Sequence, residues 1–258
     1  MSEPQHHHPG HEELMRHLAG QTTPVRVVED IIPIGVQERF LKLAKRIHPN
    51  KFSDAEALEL IGTLTLKDIK TPEIQKIIVI LAFRGNIEAY RSLESYLPEA
   101  PAEVQDFVRF GLQVSRLMVE SELSDQVPSL ISTGLGGKGD KIRYILAVFP
   151  SHRLTFGETQ EKIIRNEWDE ACRKAGIETE RIRFFLEYSS FSILAPIQTE
   201  LNGVVRSFIE ECNQYGDFIY RGYFLTNVAI PDHRELLKYR DKILRGTDEN
   251  IDSSVSGT

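Results

Sequence analysis

The chain has 258 residues, of which 41% are hydrophobic and 27% charged, as in a packed globular protein. Its formal net charge is −7, which argues against broad binding to nucleic acid or to an anionic membrane, because both need a positive surface. No run of about 18 apolar residues occurs, so we expect no transmembrane helix. Only two cysteines occur, Cys172 and Cys212, which argues against a disulfide framework and favours a cytoplasmic location.

The first segment, residues 1–24, is polar and lacks the apolar stretch of a secretory signal, so we expect a disordered tail. It contains four histidines: His6, His7, His8 and His11. Because no carboxylate or thiol accompanies them at fixed geometry, we expect no metal site, and nothing in the chain indicates a cofactor.

A helical domain is predicted over residues 25–133. Apolar residues recur at helical spacing from Val36 to Ile47, and Pro49 ends that helix. Ser53 is a suitable N-cap for the next helix. Thr71 as the N-cap, with Pro72 at the first helical position, is a strong start signal for a third helix.

The stretch IIVILAFRGNIEAYRSLESYLPEAPAEVQDFVRFGLQVSRLM, residues 77–118, has an apolar helix, a Gly turn, a short helix with spaced leucines and a Pro-bearing turn. It resembles HEAT-type helical repeats over about residues 71–123. The resemblance implies that neighbouring helix pairs bury each other and present a protein-binding surface, with no enzyme activity. A plain helical bundle is the alternative.

A glycine-rich segment, residues 134–140, follows with Lys138. A phosphate-binding P-loop needs Ser or Thr after the lysine and then a helix. Here Gly139 and a predicted strand follow, so we expect a hinge or an ordered turn.

An α/β domain is predicted over residues 141–245, before a disordered tail over residues 246–258. Its strands are 141–150, 181–188 and 217–230. The first helix opens with a capping box formed by Thr155 and Glu158 and ends at Gly176. The second has apolar residues at i, i+3, i+4 and i+7 and ends at Gly216.

The fold class expected is therefore α+β, a helical first half followed by an α/β second half. If residues 190–196 form their own strand, the second half is a ferredoxin-like plait with one added helix. Otherwise it is a small three-layer α/β unit.

Candidate ligand-binding residues follow the predicted strands. In parallel sheets, ligands bind where the strands end. Four residues are candidates there: His152, Arg153, Asn227 and His233. We find no catalytic triad and no zinc-protease motif, so no catalytic residue is assigned and enzyme activity is not expected.

The segment YRGYFLTNV, residues 220–228, resembles in part the strand motif of RNA-recognition domains, in which aromatic side chains stack on bases. The motif's later aromatic residue is absent. Five aromatic residues of this domain are expected to pack the sheet or meet another protein: Tyr144, Phe185, Tyr188, Tyr220 and Tyr223.

The sequence thus predicts a non-catalytic protein-interaction or scaffold protein, whose partner is another protein or a second copy of itself, with no membrane partner and nucleic acid unexpected. Two alternatives stay open. One is a sensor or enzyme that binds a small molecule at the strand ends. The other is an RNA-binding protein that uses the sheet of the α/β domain.

Overall fold

A computed structural model describes residues 25–66, 68–124, 129–151 and 155–252. The chain forms two compact units. The helical unit holds Val36–Ile131 with the residues that precede Val27, and the α/β unit holds Val27–Gly35 with the residues from Ser132 onward. The structure is therefore of the mixed α+β class that the sequence predicts. No helix in the described ranges is long and apolar enough to cross a membrane.

The helical unit is built around one almost fully apolar helix, in which every residue from Ile77 to Ala82 is buried. Phe40 packs against Phe107 and Phe110, with ring centroids 5.0 and 5.1 Å apart. Gly111 allows its helix to approach Ile78 closely, because a Cβ there would lie 2.7 Å from the Ile78 side chain. The helices are α1 (Ile34–Ile47), α2 (Asp54–Glu59), α3 (Thr71–Ala82), α4 (Ile87–Tyr96) and α5 (Ala102–Ser124).

Local capping explains where these helices begin. Ser53 caps α2 as predicted: its hydroxyl accepts from the Glu56 N–H, and the Glu56 carboxylate accepts from the Ser53 N–H at 2.8 Å. Asn86 caps α4 through the Ala89 N–H. Thr71 was expected to cap α3, but it is the first helical residue, and Lys70 precedes it as the N-cap. Pro72 fits the first turn because its missing N–H has no helical partner there.

The α/β unit has the order strand, strand, helix, strand, strand, helix, strand, helix. Its elements are β3 (Gly137–Lys138), β4 (Lys141–Pro150), α6 (Glu158–Ala175), β5 (Glu178–Phe184), β6 (Ser189–Pro196), α7 (Leu201–Asn213), β7 (Ile219–Thr226) and α8 (His233–Asp252). The segment 190–196 thus forms its own strand. Two short strands, β1 (Val25–Val27) and β2 (Ser129–Ile131), pair with each other.

All strand pairs of the larger sheet are antiparallel, in the order β7–β4–β6–β5. Strand β3 pairs with the first residues of β4, and β7 pairs with its later residues. The predicted capping box at Thr155 does not form, because α6 begins at Glu158. Gly157 precedes it, and the Gln160 side chain accepts from the Gly157 N–H at 2.9 Å.

The glycine-rich segment is closely packed within this unit. Leu135 is fully buried, and its N–H donates to the Asn227 carbonyl at 3.1 Å. A Cβ on Gly134 would overlap the backbone of Val228, and one on Gly136 would overlap that of Asp30. Gly136 also has a φ of 65°, which glycine adopts without strain.

The two faces of the sheet are covered differently. One face packs against α6 and α7 in a large apolar cluster that includes Leu146, Trp168, Phe191, Ile193 and Phe208. The other face packs against α8, around Ala147, Phe149, Tyr188 and Leu236. Because side chains alternate along a strand, neighbours such as Leu146 and Ala147 belong to opposite faces.

Candidate functional site

Two arginines are displayed on the edge strand β5. Arg181 and Arg183 are exposed and alternate with the half-buried Ile182. Their cross-strand neighbours on β6 are Ser192 and Ser190. Among the described residues, neither arginine has an ion-pair partner. Residues two apart on a strand lie about 6.6 Å apart, so β5 presents two free positive charges in a row.

An aromatic stack lies at the end of this row, in the turn between β5 and β6. The Phe185 ring lies on the Tyr188 ring, with centroids 4.7 Å apart and planes inclined by 31°. The Tyr188 ring in turn contacts His233, at 5.6 Å between centroids. The Phe185 N–H donates to the Tyr188 carbonyl at 2.9 Å, which closes the turn. Phe185 is 39% exposed, so one ring of the stack is accessible to a ligand.

A third arginine on the same face is paired within the chain. Arg143 of β4 donates to both carboxylate oxygens of Glu180, from Nε at 2.7 Å and from Nη2 at 2.8 Å. The Ser192 hydroxyl donates to the same carboxylate at 2.8 Å. The Arg143 hydrogen bonds hold the pKa of Glu180 below its ordinary value, although burial acts in the opposite direction. Glu180 lies at a β-bulge, between Thr179 and Arg181.

Positive charge exceeds negative charge around this face. Lys141 pairs with Glu178 at 2.8 Å. Lys138 lies near enough to lower the pKa of both Glu178 and Glu180. Strands β3, β4 and β5 together carry five cations and two carboxylates. The cations are Lys138, Lys141, Arg143, Arg181 and Arg183, and the carboxylates are Glu178 and Glu180. The region has a local positive surplus although the whole chain is acidic.

Of the four residues predicted from the strand ends, the structure describes two, Asn227 and His233. His152 and Arg153 lie outside the described residues. The Asn227 side chain bonds the Tyr144 hydroxyl, near the start of β4. His233 lies beside Tyr188. Because β4 and β7 are antiparallel, residue 227 lies at the end of the sheet opposite to the end of β4. For His152 and Arg153, the small-molecule hypothesis stays a prediction.

The tyrosines of the RNA-motif-like segment serve packing. The Tyr220 hydroxyl donates to the Ile243 carbonyl on α8 at 3.1 Å, and the Tyr223 hydroxyl donates to Asn202 on α7 at 2.9 Å. Burial raises the pKa of Tyr144 to about 12, and it also raises the pKa of Tyr239. These tyrosines are half-buried. Phe185, which was also expected to pack the sheet or meet another protein, is 39% exposed.

The described part of the chain contains no group of three or more His, Cys, Asp or Glu side chains placed to hold a metal ion. Both cysteines are free and buried. Burial raises the pKa of the Cys212 thiol to about 12 and also raises that of Cys172, so thiolate chemistry is disfavoured at neutral pH. The chemistry available on the exposed face of β5 is thus recognition of an anion by its arginines and of a flat ring by Phe185.

Sequence reasoning missed Arg181 and Arg183 as candidates. The segment RIRF does carry a signal, because two cations alternate with an apolar residue at the period of a strand. That period places both charges on one face. The sequence alone does not show that β5 lies at the edge of the sheet.

No family model and no curated protein matches this chain. Solved structures that match part of this chain include two transposases. One is a REP-associated tyrosine transposase bound to a REP hairpin, with 13% identity and a TM-score of 0.30. The match covers 39% of this chain and 61% of that transposase. The other is a putative transposase from Deinococcus radiodurans, with 13% identity, a TM-score of 0.31, and coverage of 42% of this chain and 90% of that one.

These findings correct one prediction from the sequence. A scaffold or adaptor with a protein or homodimer partner was expected, and nucleic acid was not. The solved structures reported above are transposases, one of them bound to a REP hairpin, and the scaffold prediction is withdrawn. The HEAT-like resemblance stays a prediction.

Proposed function

We propose that the α/β unit binds a single-stranded nucleic acid along β5, with phosphates on Arg181 and Arg183 and a base stacked on Phe185. The observation that carries the proposal is the row of two unpaired arginines that ends at an exposed ring of an aromatic stack. A positive groove with stacking rings is the arrangement that binds single strands with little sequence preference.

The geometry favours a single strand over a duplex. Stacking on Phe185 needs a base whose face is accessible, and the bases of a duplex stack on each other. The spacing of about 6.6 Å between alternate residues of β5 is close to that of successive phosphates in an extended single strand. Arginine suits this role because its planar guanidinium donates two parallel hydrogen bonds to a phosphate.

The acidity of the whole chain does not oppose this function. From Lys138 to Arg245 the chain has 17 Lys and Arg and 16 Asp and Glu, a net charge of +1. The remaining residues carry a net charge of −8, which together with +1 gives the total of −7. Binding depends on the local field, since salt screens charges more than about 8–10 Å apart.

The test is a fluorescence-anisotropy titration of the full chain with labelled oligo(dT) and oligo(rU) of about 12 nucleotides, a length within the usual range for such sites. We expect binding that weakens with salt, and a slope of log K against log salt that falls in magnitude by about 0.7 for each arginine removed. The variant is R181A/R183A.

The matched control is R206A. Arg206 is exposed on α7 and has no ion pair within the described residues. We expect R206A to bind as the wild type does. Equal affinity of R181A/R183A and R206A, or no binding by the wild type at low salt, would reject the proposal. Comparison of the two oligonucleotides shows whether the 2′-hydroxyl contributes.

Two fold-level assignments are proposals of the same kind. The strand order β7–β4–β6–β5 supports a ferredoxin-like plait with α8 added on its second face. The mutual packing of α3, α4 and α5 is consistent with either a HEAT-like unit or a bundle. The buried free thiols of Cys172 and Cys212 support the proposal of a cytoplasmic location.

A further inference from the structure

The carboxylate of Glu180 is held as a bound phosphate would be. It accepts two parallel hydrogen bonds from the Arg143 guanidinium and a third from the Ser192 hydroxyl, all at 2.7–2.8 Å. A further hydrogen bond holds the Arg143 guanidinium in place, since its Nη1 donates to the Leu135 carbonyl at 2.8 Å. Carboxylates and phosphates share this bidentate mode of arginine recognition.

We propose that Arg143 and Ser192 form a third phosphate-binding position, which the chain's own Glu180 occupies when no nucleic acid is bound. The inference rests on the proposed function and deepens it, since it names a phosphodiester oxygen as the ligand of these two side chains. Glu180 acts as an internal competitor, so the affinity of the wild-type chain is lower than its donor groups would allow.

The register places this position in line with the other two. Arg183 is opposite Ser190, and Arg181 is opposite Ser192, so the row leads from the turn at Phe185 toward Ser192. Arg143 lies on β4, the strand on the other side of β6 from β5, and it is opposite Leu194 of β6. A strand that contacts Arg183 and then Arg181 therefore reaches the hydroxyl of Ser192 and the guanidinium of Arg143 next.

The β-bulge explains how Glu180 enters this row. Without it, alternation would place the side chains of residues 180 and 181 on opposite faces. The extra residue lets Glu180 reach Arg143 and Ser192 on the face that also carries Arg181. The Glu180 side chain keeps 31% exposure, against 18% for Arg143, so the carboxylate can move into solvent while the guanidinium stays in place.

The test compares two substitutions that each remove one carboxylate paired with an arginine. E180Q and E180A free Arg143, whereas E170Q frees Arg173 on α6, where Glu170 accepts from Arg173 at 2.7 Å. We expect E180Q and E180A to bind oligo(dT) about tenfold more tightly than the wild type. The magnitude of their salt slope should rise by about 0.7, because one more phosphate is contacted. E170Q should match the wild type.

The double variant E180A/R143M separates the local site from a general change in charge. If Arg143 is the group released, the gain in affinity and in slope disappears in this variant. Circular dichroism melting of each variant confirms that it is folded, and E180Q, whose side chain is neutral and of nearly the same size as glutamate, serves if E180A is unstable.

Failure of this inference is distinguishable from failure of the proposed function. If the wild type binds with the expected dependence on Arg181 and Arg183, but E180Q and E180A bind no better than E170Q, only the third position is refuted. A gain that persists in E180A/R143M refutes it equally. If no variant binds at low salt, both proposals are refuted.

Discussion

The two faces of β5 perform different tasks with residues that alternate along one strand. On the inner face, the Thr179 hydroxyl accepts from the Trp168 indole at 2.9 Å, and Ile182 and Phe184 pack against the helices. On the outer face, Arg181 and Arg183 are exposed. The period of the strand separates stability from binding, so each can be changed by substitution without the other.

The inner face has the larger energetic role. Trp168 is fully buried, and its ring lies 5.1 Å from that of Phe191 and 5.0 Å from that of Phe208. The outer face carries no such cluster along β5. Its proposed role in binding depends on the unpaired charges of Arg181 and Arg183 and on the Phe185 ring at the end of the strand. The contrast predicts opposite outcomes for substitutions only a few residues apart.

The largest effect is expected from Trp168→Ala. It leaves a cavity among Phe191 and Phe208 and should lower the free energy of unfolding by about 3–5 kcal/mol, as measured by urea unfolding followed by circular dichroism. The control Trp168→Phe keeps an aromatic ring, so its free energy of unfolding should fall by a smaller amount. The folded fraction of W168A should still bind oligonucleotide, and a loss of binding in that fraction would break the division between the faces.

Next in size is Phe185→Ala. A base stacked on an aromatic ring contributes about 1–3 kcal/mol, so affinity for oligo(dT) should fall at least fivefold. The free energy of unfolding should fall by about 0.5–1.5 kcal/mol, because the variant also loses the ring contact with Tyr188. Tyr215, exposed at 64%, provides the control Tyr215→Ala. Similar losses of affinity in both variants would show that the ring of Phe185 has no special role.

Thr179→Val sharpens the comparison from the inner side of the same strand. It removes the acceptor of the buried Trp168 N–H, and the unsatisfied donor should cost about 1–2 kcal/mol of unfolding free energy. Thr179→Ser keeps the hydroxyl and should recover most of that loss. Oligonucleotide affinity should be the same in both variants. A weaker affinity in T179V alone would mean that the inner face also shapes the binding surface.

The smallest effect is the pH dependence contributed by Glu180. Its pKa lies below the usual value of 4.5 in the folded chain, mainly because Arg143 donates to it. A lowered folded-state pKa stabilises the protein above the unfolded value, and this stabilisation is lost as the pH falls through the folded value. The wild type should exceed E180Q by about 1 kcal/mol or less at pH 7. In urea titrations, a difference that grows on acidification would contradict the assignment.

Much of the fold was accessible from the sequence because its signals are local. Ser53 and Glu56 form the capping box that their spacing allows, and Gly176 ends α6 with a φ of 68°. The strand over residues 141–150 matches β4. The strand predicted over 181–188 was placed too late, since β5 is Glu178–Phe184 and residues 185–188 form the turn. Helix α8 continues to Asp252, into the segment 246–258 that was expected to be a disordered tail.

The candidate site was less accessible because it depends on strand direction and strand order. The prediction for Asn227 and His233 assumed that strands end together at one edge, which holds for parallel sheets. Because β4 and β7 pair antiparallel, residue 227 lies beside the start of β4 rather than beside its end. Likewise, the pairing of Arg143 with Glu180 joins residues that only the arrangement of β4, β6 and β5 brings together.

The most direct test of the central claim is photocrosslinking. A 5-iodouracil-substituted oligonucleotide is bound to the wild-type chain and irradiated, and the attached peptide is identified by mass spectrometry. We expect the label on the turn that contains Phe185 and Tyr188, with R181A/R183A giving much less product under the same conditions. Labelling of α6, of α7 or of the helical unit, with that turn unmodified, would contradict the claim that β5 and its turn bind the nucleic acid.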